Sequence, residues 1–330
     1  MTVTCSGIIG CGHYIPEKVL SNKDLAERFG KPESWFEERT GIRERRIVEK
    51  NVATSDLAIL AAKDALKSAK ILPEMLDVII VATTTPDMIF PSTASLVQHG
   101  IGASNAAAFD ISAACTGFVY AINIGFAYVT SGGCKNVLVI GADTYSKIVN
   151  DSDLNTSILF GDGAGAVVIG QVPEGYGNII SLMGTDGSGA ELLNVPAGGS
   201  RTPITHENLD KRLNKIHMNG RAVFQFAIRI LNNMIEQIID QSRLSIEDIS
   251  LIIPHQANMR VILAVSEKNK ISMDKIYCNI ESYGNMSSAS IPVALSEAYK
   301  NGRLKNGDYI LLAGFGAGLT WGANLIKWYE

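Results

Sequence analysis

The sequence has no excess of positive charge and no long basic run. Its 330 residues include 29 Lys and Arg against 33 Asp and Glu, which gives a formal net charge of −4 at pH 7. A protein with this balance lacks the electrostatic footprint of a general nucleic-acid binder. The apolar fraction of 46% and the charged fraction of 19% exclude a disordered chain. The length is sufficient for two domains or for one large α/β unit.

Cysteine is scarce and follows no pattern. The five cysteines are odd in number, form no CxxC pair and lack the Cys/His spacing of a metal site; they are Cys5, Cys11, Cys115, Cys134 and Cys278. We therefore expect neither a disulfide framework nor a bound metal. Reduced thiols are typical of a cytoplasmic protein.

Signals for export and for membrane insertion are weak. Residues 1–5 lack the basic and apolar regions of a signal peptide. Residues 113–130 are uncharged over roughly the length of a membrane span, but they include Asn123 and two tyrosines, Tyr120 and Tyr128. We predict that this stretch is the central helix of a soluble core and that the protein has no membrane partner.

Apolar runs and helical periodicity alternate along the chain, and no Pro/Gly/Ser-rich linker interrupts them. The pattern predicts helices over 22–29, 33–38, 55–70, 116–129 and 227–242, and strands over 6–10, 78–82, 106–111, 137–141, 165–169, 178–183, 248–253, 309–314 and 320–326. Ser21 or Asn22 is the expected cap of the first helix, and Thr54 or Ser55 is the expected cap of the third. The polar segment 196–219 is expected to be an irregular surface excursion.

The second half of the chain repeats the pattern of the first at an offset of about 170 residues. Residues 309–314, for example, match residues 136–141, because both are β-rich runs that end in glycine. We infer an ancient duplication of one βαβαβ unit. It divides the chain into an N-terminal half, 1–173, and a C-terminal half, 174–330, which are expected to pack as one α/β body.

A strand-to-helix turn near the middle of the chain carries a cysteine. Cys115 follows the strand predicted over 106–111, which is expected to be buried, and precedes the uncharged helix. Backbone N–H groups and the helix dipole stabilise an anion at a helix start, so a thiol there is biased toward the nucleophilic thiolate. The alternative is a small buried hydrophobe, and this stretch alone leaves both interpretations open.

Three further places carry candidate chemistry. His255 lies just beyond the end of a strand, where open α/β sheets hold their sites, although a lone histidine is more often structural. Asn285 precedes a helix of small residues that corresponds by duplication to the helix after Cys115, although such an Asn is usually a cap. The glycine-rich run 314–322 suits one arm of an oxyanion hole, and its alternative is a tight turn between strands.

Several motifs contain these residues. They are ACTGF (114–118), PHQAN (254–258), GNMSSAS (284–290) and GAGLTWG (316–322), with WFEERTGIR (35–43), FPS (90–92), FGDGAGA (160–166) and MNGR (218–221). Together they resemble those of the β-ketoacyl-acyl-carrier-protein synthase III family of the thiolase superfamily. The resemblance runs from Gly7 to Trp328, and the motifs are highly specific in combination although none is specific alone.

This resemblance implies a thiolase-like, five-layered αβαβα fold and a homodimer. Cys115 would accept an acyl group from acyl-CoA, while the backbone N–H groups of Cys115 and Ala317 hold the oxyanion. His255 and Asn285 would donate to the enolate that forms when malonyl-acyl carrier protein loses CO₂. The implied product is a 3-ketoacyl-acyl carrier protein, which initiates fatty acid biosynthesis. The CoA thioester and the acyl carrier protein are substrates, so no cofactor is implied.

The same resemblance implies binding residues around the reacting groups. The implied contacts to CoA and pantetheine are Trp35, Arg39, Asn219, Arg221 and Asn258. Gln256 and Arg260 are the implied contacts to the carrier protein. Phe90 is implied to reach into the acyl tunnel of the partner subunit and to favour a short acyl donor; its alternative is a core aromatic.

The sequence departs from the family pattern near the implied tunnel entrance. Leu154 stands where many members carry an arginine that, with the tryptophan matching Trp35, brackets the adenine of CoA. Gln225 stands where a lysine is frequent, and Asp151 and Asp153 are expected to add negative charge at the entrance. One hypothesis is that free CoA thioesters are poor donors and that the natural donor is specialised or carrier-bound. The other is drift, with a neighbouring arginine taking over the contact.

Neighbouring activities fit the residues less well. A degradative thiolase would carry a second cysteine near 316–318, a hydroxymethylglutaryl-CoA synthase would carry a glutamate acid/base, and an elongating synthase would carry a second histidine where Asn285 stands. Two alternatives stay open. One is a specialised polyketide-type ketosynthase III or acyltransferase with a non-acetyl or carrier-bound donor. The other is a non-catalytic acyl-binding relative, which the retention of Cys115, His255 and Asn285 disfavours.

Overall fold

The computed structural model describes residues 5–330, so the expectation about a signal peptide falls almost entirely outside the described residues. The strands are β1 (Cys5–Tyr14), β2 (Val19–Ser21), β3 (Glu44–Arg46), β4 (Val78–Ala82), β5 (Ala107–Ile111), β6 (Val137–Thr144), β7 (Asp162–Val172), β8 (Gly177–Thr185), β9 (Leu193–Asn194), β10 (His217–Met218), β11 (Ile249–Pro254), β12 (Tyr309–Gly316) and β13 (Thr320–Lys327). The helices are α1 (Asn22–Phe29), α2 (Glu33–Thr40), α3 (Thr54–Ala69), α4 (Thr93–Ile101), α5 (Gly117–Thr130), α6 (Leu154–Ser157), α7 (His206–Asp210), α8 (Gly220–Ser242), α9 (Met259–Asn269), α10 (Ile280–Tyr283) and α11 (Ser290–Lys300).

The first sheet has the strand order β1-β7-β6-β4-β5. Strands β6, β4 and β5 are parallel, with Ile79 opposite both Ala108 and Leu138, whereas β7 is antiparallel to β1 and β6. Every residue of β4 and β6 is buried. Continuous apolar runs are typical of strands that are covered on both faces of a sheet.

The second sheet repeats this arrangement as β8-β13-β12-β11. Here β13 is antiparallel to β8 and β12, and β11 is parallel to β12. A parallel bridge between Ile252 and Ile276 stands where the first sheet has β5. The same order and the same directions are what a duplication predicts. The boundary between the halves 1–173 and 174–330 stays a prediction, and it would fall in the turn between β7 and β8.

Helices and sheets alternate in five layers. Helices α3 and α4 cover the outer face of the first sheet, and α8 and α9 cover the outer face of the second. Helices α5 and α11 lie between the two sheets in a shared apolar core. The αβαβα fold is thus confirmed, and the uncharged stretch is its central helix. Among residues 5–330, no helix is long and apolar enough to cross a membrane.

Glycines bring the middle layer into close contact with the first sheet. A side chain at Gly141 would collide with the carbonyl oxygen of Ser288, and one at Gly165 would lie 2.5 Å from the backbone nitrogen of Val293. The start of α11 therefore rests directly on β6 and β7. The turn just before α11 packs beside the turn that carries Cys115, so the fold brings the two halves of the predicted site together.

The bounds of several helices show where local sequence decides structure. Helix α1 has the predicted bounds, and the Ser21 side chain accepts from the N–H of Asp24. The expected cap of α3 is wrong: the helix starts after Ala53, whose N–H donates to Asp56 Oδ2 at 2.8 Å. Thr54 does not cap because its hydroxyl donates to the carbonyl oxygen of Thr85.

Two expectations about exposure need correction. Strand β5 is not buried, because it is the edge strand of its sheet and most of its residues are half-exposed. The segment 196–219 is largely exposed but is not irregular throughout. It contains α7 and β10, and β10 pairs with β9.

Candidate active site

One cavity of about 700 Å³ has Cys115, His255 and Asn285 in its lining. Cys115 lies in the turn before α5, His255 follows β11, and Asn285 lies between α10 and α11. The structure therefore brings together three residues that the sequence singled out from distant segments. Their chemical roles stay predictions.

Cys115 is held in a tight turn that sterics define closely. It lies in a single 3₁₀ turn, Ala114–Thr116, at the start of α5 and is almost fully buried. Ala114 has a φ of +46°, a conformation that is rare for a residue with a side chain. A side chain at Gly316 would lie 2.9 Å from the Cys115 nitrogen, so only glycine permits this approach of β12 to the thiol.

The protonation state of the free thiol differs from the expectation for a helix start. Burial raises the pKa of the Cys115 thiol to about 12; the Ser287 hydroxyl acts to lower the pKa, and the Asp143 carboxylate raises it further. The resting site therefore holds a thiol, because desolvation and a nearby negative charge both disfavour the thiolate. In the predicted attack on an acyl donor, the sulfur would need hydrogen-bond donors from the cavity to stabilise its thiolate form.

His255 is fixed immediately after its strand. Its backbone N–H donates to the carbonyl oxygen of Ala313 at 2.8 Å, which extends the pairing with β12. The imidazole packs edge-on against Phe315 at 5.3 Å and is buried. Burial lowers the pKa of His255 to about 3. The imidazole is therefore neutral at pH 7 and has one N–H to donate. Within residues 5–330, Nδ1 has no hydrogen-bond partner.

Asn285 is held by its backbone and by one side-chain bond. Its N–H donates to the Leu159 carbonyl at 2.8 Å, and its carbonyl accepts from the Gly161 N–H at 2.9 Å. Its Oδ1 accepts from the Ser287 N–H at 2.8 Å. The amide oxygen is thus occupied, and the NH₂ group is left to donate into the cavity.

The predicted oxyanion donors lie on two segments that one hydroxyl joins. Ala317 follows β12 and is half-buried beside the cavity. The hydroxyl oxygen of Thr320 lies 2.9 Å from the Ala317 carbonyl and 3.0 Å from the Thr116 hydroxyl. This contact ties the loop of Ala317 to the turn of Cys115, which restricts relative movement of the two backbone N–H groups.

The outer part of the cavity contains all five residues that the resemblance implied for CoA and pantetheine, with Arg260 beside them; the five are Trp35, Arg39, Asn219, Arg221 and Asn258. The Arg39 guanidinium lies 4.3 Å from the centre of the Trp35 ring, a cation–π contact. Asn219 caps α8 through its side chain, and Asn258 caps α9. The two helix starts therefore fix the rim of the cavity.

The implied carrier-protein contact at Gln256 is wrong. Its side chain is fully buried, where Nε2 donates to the carbonyl oxygens of Pro254 and Tyr277 and Oε1 accepts from the Asn279 N–H. A side chain satisfied in this way is inaccessible to another protein. Arg260 is exposed, and its role in binding the carrier protein stays a prediction.

Phe90 lies outside the cavity of its own chain. It is 82% exposed, which excludes the alternative of a core aromatic. Leu154 does line the cavity, and it packs in the same apolar cluster as Trp35. Gln225 is exposed on the first turns of α8.

The two aspartates expected at the entrance lie in different places: Asp153 directly precedes Leu154 of the cavity lining, whereas Asp151 does not line the cavity. Asp153 caps α6, accepting from the N–H of Asn155 and the hydroxyl of Thr156. Asp151 lies 3.7 Å from Arg28 and lines a neighbouring depression rather than the cavity.

The sequence interpretation missed a buried polar group behind Cys115. Asp143 is fully buried at the end of β6. Its Oδ1 accepts from the hydroxyls of Thr83 and Thr85, and its Oδ2 accepts from Ser288. The TTT run at 83–85 after a buried strand was the signal that could have indicated such an acceptor.

Two family models match the chain. The model described as 3-oxoacyl-[acyl-carrier-protein (ACP)] synthase III matches residues 109–187, and that of its C-terminal part matches residues 239–328. The beta-ketoacyl-[acyl-carrier-protein] synthase III of Caldanaerobacter subterraneus subsp. tengcongensis is 52% identical over 323 residues, which cover 98% of each chain.

Solved structures agree with these matches. The 3-oxoacyl-[acyl-carrier-protein] synthase III of Aquifex aeolicus VF5 has a TM-score of 0.91 at 44% identity, covering 98% of this chain and 100% of that one. The priming β-ketosynthase of the R1128 polyketide pathway also has a TM-score of 0.91, at 30% identity, covering 99% of this chain and 97% of that one. The chain belongs to the β-ketoacyl-[acyl-carrier-protein] synthase III family.

Proposed function

We propose that this chain is a condensing enzyme that takes a short acyl group from acyl-CoA onto Cys115. It then condenses that group with malonyl-acyl carrier protein to give a 3-ketoacyl-acyl carrier protein, the initiating step of fatty acid biosynthesis. The observation that carries the proposal is the convergence of a thiol, a neutral imidazole and an oriented amide in one cavity. These groups supply the chemistry of both half-reactions, so the proposal includes no cofactor.

In the first half-reaction the Cys115 sulfur attacks the carbonyl carbon of the acyl thioester. The carbon–sulfur bond to CoA breaks, and CoA leaves as a thiol with the proton that Cys115 lost. The carbonyl oxygen is negatively charged in the tetrahedral intermediate, and the N–H groups of Cys115 and Ala317 are its proposed donors. Donors fixed in advance are effective because they need no reorganisation during the reaction.

In the second half-reaction the malonyl thioester loses CO₂. The electron pair of the broken carbon–carbon bond stays on the thioester, which becomes an enolate. We assign the donors to the enolate oxygen as the N–H of neutral His255 and the NH₂ group of Asn285. The enolate carbon then attacks the acyl carbon on Cys115, the carbon–sulfur bond to the enzyme breaks, and the released Cys115 thiolate takes up a proton from water to restore the resting thiol. A neutral imidazole suits this role because it donates a hydrogen bond without competing for the malonyl carboxylate as a cation would.

The residues at the rim of the cavity affect which acyl donor the site can bind. An adenine seated on Trp35 would meet the alkyl side chain of Leu154, which offers no positive charge. Arg221 and Arg260 remain on the rim and suit the phosphates of CoA or of a carrier-bound pantetheine. This composition favours a weakened contact to free CoA, and a specialised or carrier-bound donor is the hypothesis that belongs to the second candidate function below.

A homodimer is part of the proposal. One edge of strand β5 has no partner strand among residues 5–330, and the side chains of Ile89 and Phe90 nearby are 88% and 82% exposed. Asp110 of β5 accepts from the N–H groups of Thr93 and Ala94, which holds the segment of Phe90 close to this edge. An open edge beside exposed apolar side chains favours pairing with a second copy, and Phe90 would then enter the partner's acyl tunnel.

Location in the cytoplasm is also proposed. All five cysteines are free thiols, which suits a reducing compartment. The substrates of the proposed reaction, a CoA thioester and an acyl carrier protein, would have to be present in the same compartment.

A polyketide-type priming ketosynthase is the second candidate. The solved priming β-ketosynthase shares the fold and 30% of the sequence, so the fold does not separate the two functions. Leu154 favours this candidate to the extent that it weakens the contact to acetyl-CoA. The decisive property is therefore the identity of the acyl donor.

The proposal is tested by product analysis with purified protein. Malonyl-acyl carrier protein is supplied with acetyl-CoA, with longer acyl-CoAs or with acyl-acyl carrier proteins, and the carrier protein is weighed intact. A 3-ketoacyl carrier protein that disappears in Cys115→Ala supports the function. A product formed only with carrier-bound or long donors supports the second candidate. Acylation with no condensed product from any donor would contradict both.

A further inference from the structure

Asp143 is a buried carboxylate of the first sheet that reaches the turn before α11. It lies near the end of β6 and has no exposed surface. Its Oδ2 accepts from the backbone N–H of Ser288 at 3.1 Å and lies 2.7 Å from the Ser288 hydroxyl oxygen. A buried carboxylate is costly unless hydrogen bonds satisfy it. The proposed reaction gives this carboxylate no role.

The other carboxylate oxygen of Asp143 is fixed by the segment that follows β4. Asp143 Oδ1 accepts from the backbone N–H of Thr84 at 2.9 Å. It also accepts from the hydroxyls of Thr83 and Thr85, at 3.1 and 2.9 Å. Because β4 and β6 are neighbouring parallel strands, the carboxylate cannot rotate without breaking these bonds. It therefore presents Oδ2 to Ser288 in a fixed position.

The turn that contains Ser288 has an unusual backbone. It is a single 3₁₀ turn, Ser287–Ala289, and Ser287 has a φ of +51°, which residues with a side chain rarely adopt. Such a conformation persists only where the surrounding structure holds it. Here Ser288 is bonded to Asp143, and its hydroxyl oxygen lies 2.8 Å from the carbonyl oxygen of Ala82 at the end of β4.

The same turn orients the amide of Asn285. The Ser287 N–H donates to Asn285 Oδ1 at 2.8 Å. Backbone bonds to Leu159 and Gly161 fix the main chain of Asn285, but they leave its side-chain torsions free. The direction of the NH₂ group therefore depends on where the Ser287 N–H is held, and the neighbouring residue Ser288 is the one that Asp143 binds.

We propose that Asp143 is a positioning residue for the second half-reaction. Its carboxylate holds the Ser287–Ala289 turn, so that the Ser287 N–H keeps the Asn285 amide directed at the enolate oxygen. The inference rests on the proposed role of Asn285 as a donor to the enolate. Asp143 lies behind the cavity wall rather than in its lining, so it acts through Asn285 and not on the substrate.

Asp143 affects the thiol in the opposite sense. Its negative charge raises the pKa of Cys115 and thereby disfavours the thiolate that acylation needs. Removal of the carboxylate should therefore slow decarboxylation, because the turn is released, without slowing acylation of Cys115. A general loss of structure would slow both half-reactions together, so their ratio separates a positioning role from a merely structural one.

The test uses three variants of the full-length protein. Asp143→Ala removes both acceptor oxygens, Asp143→Asn keeps one of them, and Ser288→Ala removes the hydroxyl but keeps the backbone N–H that binds Asp143. Asp64→Ala is the matched control. The Asp64 carboxylate accepts from the His13 N–H at 2.9 Å and joins α3 to α11 through Lys300 at 2.6 Å, but within residues 5–330 it has no hydrogen bond to the turn.

Two properties are measured for each variant. Release of CO₂ from malonyl-acyl carrier protein and acylation of Cys115 by the donor that the parent uses best are followed on the same preparation. The ratio of these rates does not depend on the fraction of folded protein. Backbone amide exchange in the peptide 284–290 is followed by mass, because it reports directly on the bonds of the turn.

Asp143→Ala is expected to lower the ratio of decarboxylation to acylation about tenfold, less than complete removal of an oxyanion donor because the amide is displaced and not lost. Asp143→Asn should lower the ratio less, since one acceptor oxygen remains. Ser288→Ala, which loses one hydrogen bond, should lower it about threefold. Acylation in both Asp143 variants should be at least as fast as in the parent. Amide exchange in the peptide 284–290 should be faster in Asp143→Ala and unchanged in Asp64→Ala.

Three outcomes would overturn the proposal: an equal loss of both rates in Asp143→Ala, a ratio within about twofold of the parent in both Asp143 variants, or the same change of ratio in Asp64→Ala. If Asp143→Ala does not fold, Asp143→Asn and Ser288→Ala decide by the same ratio. Failure of the proposed function looks different. In that case the parent neither releases CO₂ nor takes an acyl group from any donor, while amide exchange still shows whether Asp143 holds the turn.

Discussion

The side-chain oxygen of Asn285 accepts a hydrogen bond of 2.8 Å from the backbone N–H of Ser287. This bond sets the orientation of the amide and leaves its NH₂ group to face the cavity that Asn285 shares with Cys115 and His255. Two neutral donors, the amide and the imidazole, can thus meet one oxygen. The thiol lies on a different segment, the turn before α5. Since the two donors are assigned to the enolate and not to the thiol, the two half-reactions are expected to respond differently to substitution.

Substitution of the two donors should impair decarboxylation far more than acylation. In His255→Ala and Asn285→Ala the enolate loses one hydrogen bond, and removal of one such donor typically costs about 10²–10³ in rate. Transfer of an acyl group to Cys115 should change much less, because neither side chain contacts the thioester carbonyl in that step. The two rates are measured separately, with His99→Ala, an exposed histidine on α4, as the control. Equal losses in both rates would mean that His255 and Asn285 act on the cysteine.

The rate of decarboxylation should not fall when the pH drops through 6.5, the usual pKa of a histidine, because His255 stays neutral there. Burial lowers the pKa of His255 from 6.5 to about 3, so the neutral donor persists throughout the range from pH 5 to 8. In the unfolded chain His255 takes up a proton near pH 6.5, whereas in the folded chain it does not. The free energy of unfolding therefore decreases as the pH falls from 6.5 toward 3. A rate profile with an apparent pKa between 6 and 7 that disappears in His255→Gln would contradict this assignment.

Removal of the exposed aromatic Phe90, beside the edge proposed to pair with a second copy, should lengthen the preferred acyl chain. If Phe90 closes the tunnel of a second copy, Phe90→Ala opens space there and raises kcat/KM for longer donors relative to acetyl-CoA. Leu72→Ala is the control, since Leu72 is also exposed, at 66%, but lies on another part of the surface. A profile of chain length that does not change would remove Phe90 from the acyl pocket.

Restoration of positive charge at the entrance should improve the use of acetyl-CoA. An exposed charge contact is worth about 0.2–1 kcal/mol, so Leu154→Arg should lower KM up to about fivefold. When Gln225→Lys is added, KM should fall by at most roughly 30-fold. The kcat should change little, because the contacts are remote from the reacting carbon. Leu209→Arg, on the exposed helix α7, controls for net charge. An unchanged KM, in a parent that already uses acetyl-CoA efficiently, would favour the hypothesis that Leu154 and Gln225 reflect sequence drift without a change of donor.

The sequence predicted the elements best where the signal is local. The apolar run 78–82 gives β4 with the predicted bounds, and Ser21 marks the start of α1. Helix α8 begins at Gly220 rather than at the predicted 227, and its first turns line the cavity with Val223, Phe224 and Phe226. Strand β5 was expected to be buried because its sequence is apolar, but position at the edge of a sheet is a property of topology.

The sequence motifs predicted which residues belong to the site, but not the directions in which all of their side chains point. Cys115, His255 and Asn285 meet as the resemblance implied, whereas the neighbour of His255 in the same motif, Gln256, turns inward to bind backbone groups. A sequence motif fixes which residues are adjacent, but the hydrogen bonds of the surrounding backbone decide which side chain faces solvent. Asp143 was missed for the same reason, since its acceptors are satisfied by hydroxyls that are distant in sequence.

The most direct test of the central claim is the intact mass of the protein after incubation with acetyl-CoA, followed by addition of malonyl-acyl carrier protein. The protein should gain one acetyl group, located on Cys115 by peptide mapping and absent in Cys115→Ala. The acetyl group should leave when malonyl-acyl carrier protein is added, and the carrier protein should then carry a 3-ketoacyl group. Stoichiometric acylation of Cys115→Ala, or an acetyl-enzyme that malonyl-acyl carrier protein does not discharge, would contradict the account.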